Sequence, residues 1–152
     1  NDLLAAKVGL RNVEILEYTL DRSAGIGRIG DLSKPLTLAQ LANQLKSALN
    51  VNFLRYSGNT DEVVSRIAVN TGGGTDLIPA AIEAKADVFI TGDYKYAQIR
   101  NLVEHGMKVI DVGHYDTEFI VCELLHRYFS EQFGNALSLE ISKANTNVVK
   151  FM

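Results

Sequence analysis

Val109-Ile-Asp-Val-Gly-His-Tyr-Asp-Thr-Glu118 is an apolar strand that runs through one glycine into a helix, and the chain makes that passage three times. Val64 to Val69 leads into Gly72-Gly-Gly-Thr-Asp76, and Val88 to Thr91 leads into Gly92-Asp93, each followed by a helical segment. Three β-α units in succession predict a parallel sheet joined by right-handed crossovers. The fold class is therefore α/β, a mostly parallel sheet with flanking helices. In such a sheet the carboxyl ends of the strands share one edge, so the three glycine-bearing turns meet there. Each brings polar groups: Thr71, Thr75 and Asp76, then Thr91, Asp93 and Lys95, then His114 and Glu118.

The flanking segments are read in the same way. Asn1 or Asp2 caps a first helix through Leu3, Leu4 and Lys7, and Val13 to Leu20 alternates as a strand. Gly25, Gly27 and Gly30 have the spacing of a dinucleotide fingerprint. However, the segment continues into Asp31-Leu-Ser-Lys-Pro35 instead of opening a helix, and Asn50 stands where a ribose-binding acid would fall. A bulged strand that lets another backbone approach fits better. Pro35, Thr37 and Gln40 form a capping box for a helix with the stripe Leu38, Leu41, Ala42 and Leu45, followed by a strand at Val51 to Tyr56. Val121, Leu124, Leu125 and Tyr128 recur at helical spacing and predict a buried stripe, with His114 and Glu118 at its head. Leu137 to Ile141 predicts a last strand, and the tail from Asn145 to Met152 closes the chain.

At 152 residues, 47% hydrophobic and 22% charged, residues 1–152 read as a single α/β domain, able to bury roughly 68–70% of its unfolded surface. A net charge of −3 and the lack of any Lys/Arg block argue against nucleic acid. No apolar run approaches the ~20 residues of a membrane span, and the first residues lack the regions of a signal peptide. Cys122, the single cysteine, sits among apolar helix positions, which predicts a buried thiol and a cytoplasmic setting. The chain starts without methionine, directly on a helix cap, which predicts a longer protein upstream.

His114 and Glu118, four residues apart at a helix start, are candidate metal ligands, because a carboxylate facing a cleft favours a cation as partner. The plainer reading is a first-turn acid suiting the positive end of the helix dipole, where a cation is disfavoured; two ligands also complete no coordination shell. Asp93 is a third ligand, a helix cap or a partner for Lys95. Gly72, Gly73 and Gly74 form a candidate phosphate cradle, yet Asp76 repels a phosphate and no Lys-Ser/Thr pair follows. Thr75 or Asp76 as a helix cap, with Pro79 in the first turn, is compatible with either reading. His126, twelve residues along a helix and so ~18 Å from His114, is excluded. His105 belongs to the opposite edge and interacts with the end of its own helix.

Five ordered stretches, Gly25 to Leu32, Val69 to Ile78, Ala86 to Tyr96, Val109 to Glu118 and Asn145-Thr-Asn147, resemble the C-terminal part of the NGG-one-interacting-factor-three-like family. Its members are known as GTP cyclohydrolase 1 type 2 homologues or dinuclear metal centre proteins. The resemblance implies one half of a two-half fold with two divalent ions (Zn, Mn, Fe or Mg) between the halves, in a hexameric homo-oligomer. It assigns His114 and Glu118 as metal ligands. The family's adjacent histidines and aspartate lie in an N-terminal half with no counterpart here. Two departures are Tyr96-Ala97-Gln98, where members often carry a histidine, and Val148-Val149 for Pro-Phe.

The function expected is that of a metal-dependent hydrolase in which two ions lower the pKa of water to about 7. Its substrate is a small molecule, which the resemblance implies is of the nucleotide kind, oriented by the glycine turns, with Lys95 or Arg28 contacting an anion. The rival is a non-catalytic oligomeric assembly protein whose metal is structural or regulatory. A nucleotide-binding module built on Gly72 to Gly74 is a third. The chain alone is expected to bind metal weakly or not at all and to expose an apolar face, or to bury that face in a dimer.

Overall fold

The computed structural model describes residues 1–144 and 146–150; Asn145, Phe151 and Met152, from the expected closing tail, lie outside the described residues. The order is α1 (Asp2–Val8), β1 (Leu10–Tyr18), β2 (Gly25–Thr37), α2 (Leu38–Leu49), β3 (Arg55–Ser57), β4 (Val63–Gly73), α3 (Ile78–Glu83), β5 (Val88–Gly92), α4 (Tyr96–Glu104), β6 (Lys108–Asp111), α5 (His114–Glu118) and α6 (Ile120–Phe133). A 3₁₀ turn at Thr75–Leu77 precedes α3.

The six strands form one sheet in the order β1-β2-β4-β5-β6-β3. The three β-α units give its parallel centre, with Ile67 beside Val88 and Phe89 beside Val109. Its flanks are antiparallel, β1 on β2, β2 on β4 and β3 on β6, so the α/β sheet is mixed where mostly parallel strands are expected. A short turn joins β1 to β2, closed by the Thr19 N–H on the Ala24 carbonyl at 2.9 Å, and so short a connection permits only antiparallel pairing.

The glycines of β2 are needed for contact. A Cβ on Gly25 would stand 2.5 Å from the Glu17 carbonyl oxygen, and one on Gly30 2.7 Å from that of Arg11. Register shifts on both sides of β2 show the expected bulged strand and close backbone approach.

Alternation along the buried strands builds two layers. Ile67, Val69, Val88, Ile90 and Ile110 face α1 and α2, against Leu4, Val8, Leu38, Leu41 and Leu45. Ala68, Phe89 and Val109 face α3 and α4, against Ile78, Ala81 and Leu102. Both faces covered explains why these strands read as continuous apolar runs. The Thr37 hydroxyl accepts the Gln40 N–H at 3.2 Å and the Gln40 side chain accepts the Thr37 N–H at 2.9 Å. Thr37→Ala is expected to cost about 1 kcal/mol in a urea titration; a change of a few tenths would show the cap to be redundant.

Four expectations are corrected. The strand at Val51 to Tyr56 shrinks to β3, and Leu137 to Ile141 forms no strand. The stripe on α6 is open: Val121 is 46%, Leu124 39%, Leu125 45% and Tyr128 53% exposed, and Ile120 alone is buried among the described residues of that helix. Helical spacing records an apolar face but not what covers it. Cys122, on the same helix, is half-buried instead of buried. No described helix is long and apolar enough to cross a membrane.

Candidate functional site

Two buried threonines join the three turns. The Thr91 hydroxyl donates to the Gly72 carbonyl (2.9 Å) and accepts the Gly74 N–H (3.0 Å), linking β5 to the end of β4. The Thr117 hydroxyl accepts the Gly72 N–H at 2.8 Å and lies 2.9 Å from the His114 carbonyl oxygen. These bonds consume two of the three glycine N–H groups, so residues 72–74 do not form a phosphate cradle.

The glycines instead make room. A Cβ on Gly72 would stand 2.4 Å from Glu118 Oε1 and 3.0 Å from His114 Nε2, and one on Gly92 would stand 2.5 Å from the His114 nitrogen. Gly73 lies alongside, its Cβ position 3.6 Å from His114 Nδ1 and 3.7 Å from Asp93 Oδ2.

Gly113 adopts φ 97°, a conformation open to glycine, and its N–H donates to Asp111 Oδ1 at 2.9 Å. Asp111 is buried and forms an ion pair with Arg55, whose Nη2 also donates to the Tyr94 carbonyl at 3.1 Å. Arg55 therefore ties the turn bearing Asp93 to the turn bearing His114.

His114 uses both ring nitrogens. Nδ1 lies 2.7 Å from Asp93 Oδ2 and Nε2 lies 3.2 Å from Glu118 Oε1. The hydrogen bond to Asp93 raises the His114 pKa above its ordinary value, with the charges of Glu118 and Asp93 adding and partial desolvation opposing. These residues line a cleft of about 580 Å³, together with Phe53, Leu54, Val148 and Val149. Asn147 Nδ2 donates to Asp116 Oδ2 at 2.9 Å, and burial raises the Asp116 pKa.

Two donors held at about 2.1 Å on one ion are separated by ~3.0–3.4 Å. The His114 and Glu118 pair has that spacing, so the two residues fit a shared cation. Among the described residues no group of three or more His, Cys, Asp or Glu is placed to hold a metal.

Of the other expected site residues, Asp93 joins the pair through His114. Asp76 is exposed on the 3₁₀ turn, and neither it nor Thr75 caps that turn through its side chain. Lys95 is exposed at the start of α4, outside the cleft lining; its N–H donates to Gln98 Oε1 at 2.9 Å. Arg28 is held by both carboxylate oxygens of Asp2, which removes it as an anion contact. His105 Nδ1 lies 2.8 Å from the Asn101 carbonyl oxygen at the end of α4, as expected. Sequence reading missed Arg55, Asp111 and Thr117; only the apolar setting of Asp111, between Ile110 and Val112, signalled a buried acid in need of a partner.

The sequence pattern of Duf34/NIF3 (NGG1p interacting factor 3) matches residues 1–148. The chain belongs to this family. A GTP cyclohydrolase 1 type 2 homolog of Clostridium perfringens is 32% identical over 153 residues, covering 100% of this chain; the chain spans 58% of that relative's length. A Staphylococcus aureus hypothetical protein of known structure has a TM-score of 0.86 at 24% identity, over 100% of this chain and 63% of its own. A Bacillus cereus protein related to NIF3 gives 0.83 at 20% identity, over 100% and 69%. These two structures establish the likeness of fold alone. The Duf34/NIF3 sheet edge thus carries the paired His114 and Glu118.

Proposed function

We propose that this chain supplies one side of a dinuclear metal centre in a metal-dependent hydrolase acting on a small substrate. The carrying observation is the convergence of His114 Nε2 and Glu118 Oε1, 3.2 Å apart, while Nδ1 is engaged by Asp93. A neutral imidazole nitrogen and a carboxylate oxygen turned to one point repel unless a proton or a cation lies between them. One imidazole and one carboxylate suit Zn, Mn or Fe better than Mg. The remaining ligands are supplied by protein outside this sequence. A bound divalent ion would supply Lewis-acid activation of water. The name shared by the relatives, GTP cyclohydrolase 1 type 2 homolog, supports a nucleotide-like substrate.

The test is an activity screen of a protein of the relatives' length with Mn²⁺ or Zn²⁺, beside His114→Ala. Metal-stimulated turnover abolished in the variant is expected; turnover indifferent to both metal and His114 would sink the reading. The present chain is expected to take up zinc weakly or not at all by calorimetry, and tight stoichiometric uptake would contradict the need for further ligands.

That uptake depends on pH. In metal-free protein a raised His114 pKa means the protonated form is favoured, so its contribution to stability is present below the ordinary histidine pKa and lost as pH rises through the raised one. Metal binding has the opposite sign: the proton must leave Nε2, so affinity rises with pH through that same window and protons are released. Calorimetry in buffers of different ionisation enthalpy measures the release.

A second reading, an oligomeric assembly protein with a structural or regulatory metal, is favoured by the open apolar face of α6. Light scattering separates the two: a homo-oligomer broken by Leu125→Glu without loss of metal-stimulated turnover leaves assembly and catalysis distinct. The same face supports the proposal of a homo-oligomer, and the single cysteine is the basis for proposing the cytoplasm.

A further inference from the structure

We propose that Asp93 is a positioning residue: it fixes His114 as the Nδ1–H tautomer and thereby turns the Nε2 lone pair onto the point shared with Glu118. His114 lies between two carboxylates, one on each ring nitrogen, and a neutral imidazole has only one N–H to donate. Donation toward Glu118 would put the proton on Nε2 and close the shared point. Donation toward Asp93 leaves it open. The geometry selects Asp93, at 2.7 Å against 3.2 Å for Glu118.

The carboxylate is held where it can do this. Asp93 stands at φ 62°, the left-handed region that aspartate and asparagine tolerate better than other side chains. The residues after it are anchored independently. Tyr94 is buried, its hydroxyl donates to the Phe89 carbonyl at 3.2 Å, and its own carbonyl accepts from Arg55. The Lys95 N–H is bound by Gln98. On the other side Gly92, buried, lies against the His114 backbone. The Asp93 carboxylate and the His114 ring therefore face one another from two turns held in fixed relation, each on its own parallel strand.

The consequence for metal binding rests on the proposed function; the tautomer does not. The experiment separates them. Long-range proton–nitrogen NMR of uniformly ¹⁵N-labelled, metal-free chain, at a pH where His114 is neutral, reads which ring nitrogen is protonated. His114 is assigned with His114→Gln. His105, whose Nδ1 faces a backbone carbonyl, serves as the internal control. Wild type is expected to show Nδ1–H on His114. Asp93→Gly removes the carboxylate without left-handed strain and is expected to move the proton toward Nε2. Asp93→Asn keeps an acceptor oxygen on a side chain suited to this backbone and is expected to restore Nδ1–H.

A wild-type Nε2–H signal, or a His114 pattern unchanged in Asp93→Gly, overturns the inference. Zinc is then titrated on the same resonances. If the metal reading also holds, the zinc concentration for half-saturation rises about 10- to 100-fold in Asp93→Gly, the range typical for loss of a group that orients a ligand. If zinc also leaves His114 untouched in a protein of the relatives' length while the tautomer switches as stated, the positioning role stands and the proposed metal centre falls.

Discussion

Gly92→Ala is expected to destabilise the chain by about 3 kcal/mol or more and to displace His114 from its place beside Glu118. The added Cβ would stand 2.5 Å from the His114 nitrogen, 2.6 Å from the Gly113 carbonyl carbon and 2.9 Å from His114 Cα. All three are backbone atoms, so no rotamer change relieves the contact. The neighbouring strand has no freedom to retreat either, because the Val112 N–H is bonded to the Thr91 carbonyl at 3.1 Å and Thr91 pairs with Asp111 in register. Overpacking of a core ordinarily costs ~1–3 kcal/mol, and a clash confined to backbone belongs at or above the top of that range. Gly106→Ala provides the comparison. There a Cβ meets nothing within 4 Å, and only φ +78° opposes it, so ~1 kcal/mol is expected. Urea titrations of both variants decide the matter: equal losses would mean that backbone conformation, and not the approach of the two turns, makes Gly92 necessary.

That approach shows what sequence reading reaches and what it does not. Strands β4, β5 and β6 were legible because both their faces are covered, leaving unbroken apolar runs punctuated by glycine turns. Thr37 with Gln40 was legible because a capping box is local. His114 and Glu118 were legible for the same reason: four residues on one helical turn are neighbours whatever else the fold does. Local patterns do not specify partners far along the chain. Asp111 reads as one more strand residue until Arg55, 56 positions earlier, is found beside it. Strand β3 is three residues long, too short for any alternation to register. Asp93 reads as a third ligand, a helix cap or a partner for Lys95, and its contact with His114, 21 positions along the chain, is none of the three. The α6 stripe failed in the opposite sense, since spacing revealed a genuine apolar face and burial was inferred from it without the surface that would bury it.

Arg55→Ala is expected to cost about 3 kcal/mol, far beyond a typical surface substitution, although the arginine itself is more than half exposed. The reason lies with its partner. Asp111 is 4% exposed, and its Oδ2 accepts from Arg55 Nε and Nη2 while Oδ1 accepts the Gly113 N–H. Removing the guanidinium strands a buried carboxylate with one backbone donor, and breaking a buried pair in this way costs roughly 3–5 kcal/mol. Water reaching the exposed arginine side brings the expected value to the bottom of that range. A double-mutant cycle tests the cause. Asp111→Asn removes the charge but keeps an oxygen for the Gly113 N–H, so in that background Arg55→Ala is expected to cost only about 1 kcal/mol, mainly the lost bond to the Tyr94 carbonyl. A cost that stays near 3 kcal/mol in both backgrounds would assign the effect to packing of the arginine stem instead. The site should respond together with stability, because Arg55 spans the turns that carry Asp93 and His114. In Arg55→Ala the separation of those turns is no longer fixed from the β3 side, and the His114 Nδ1–H resonance is expected to broaden or shift while His105 stays in place.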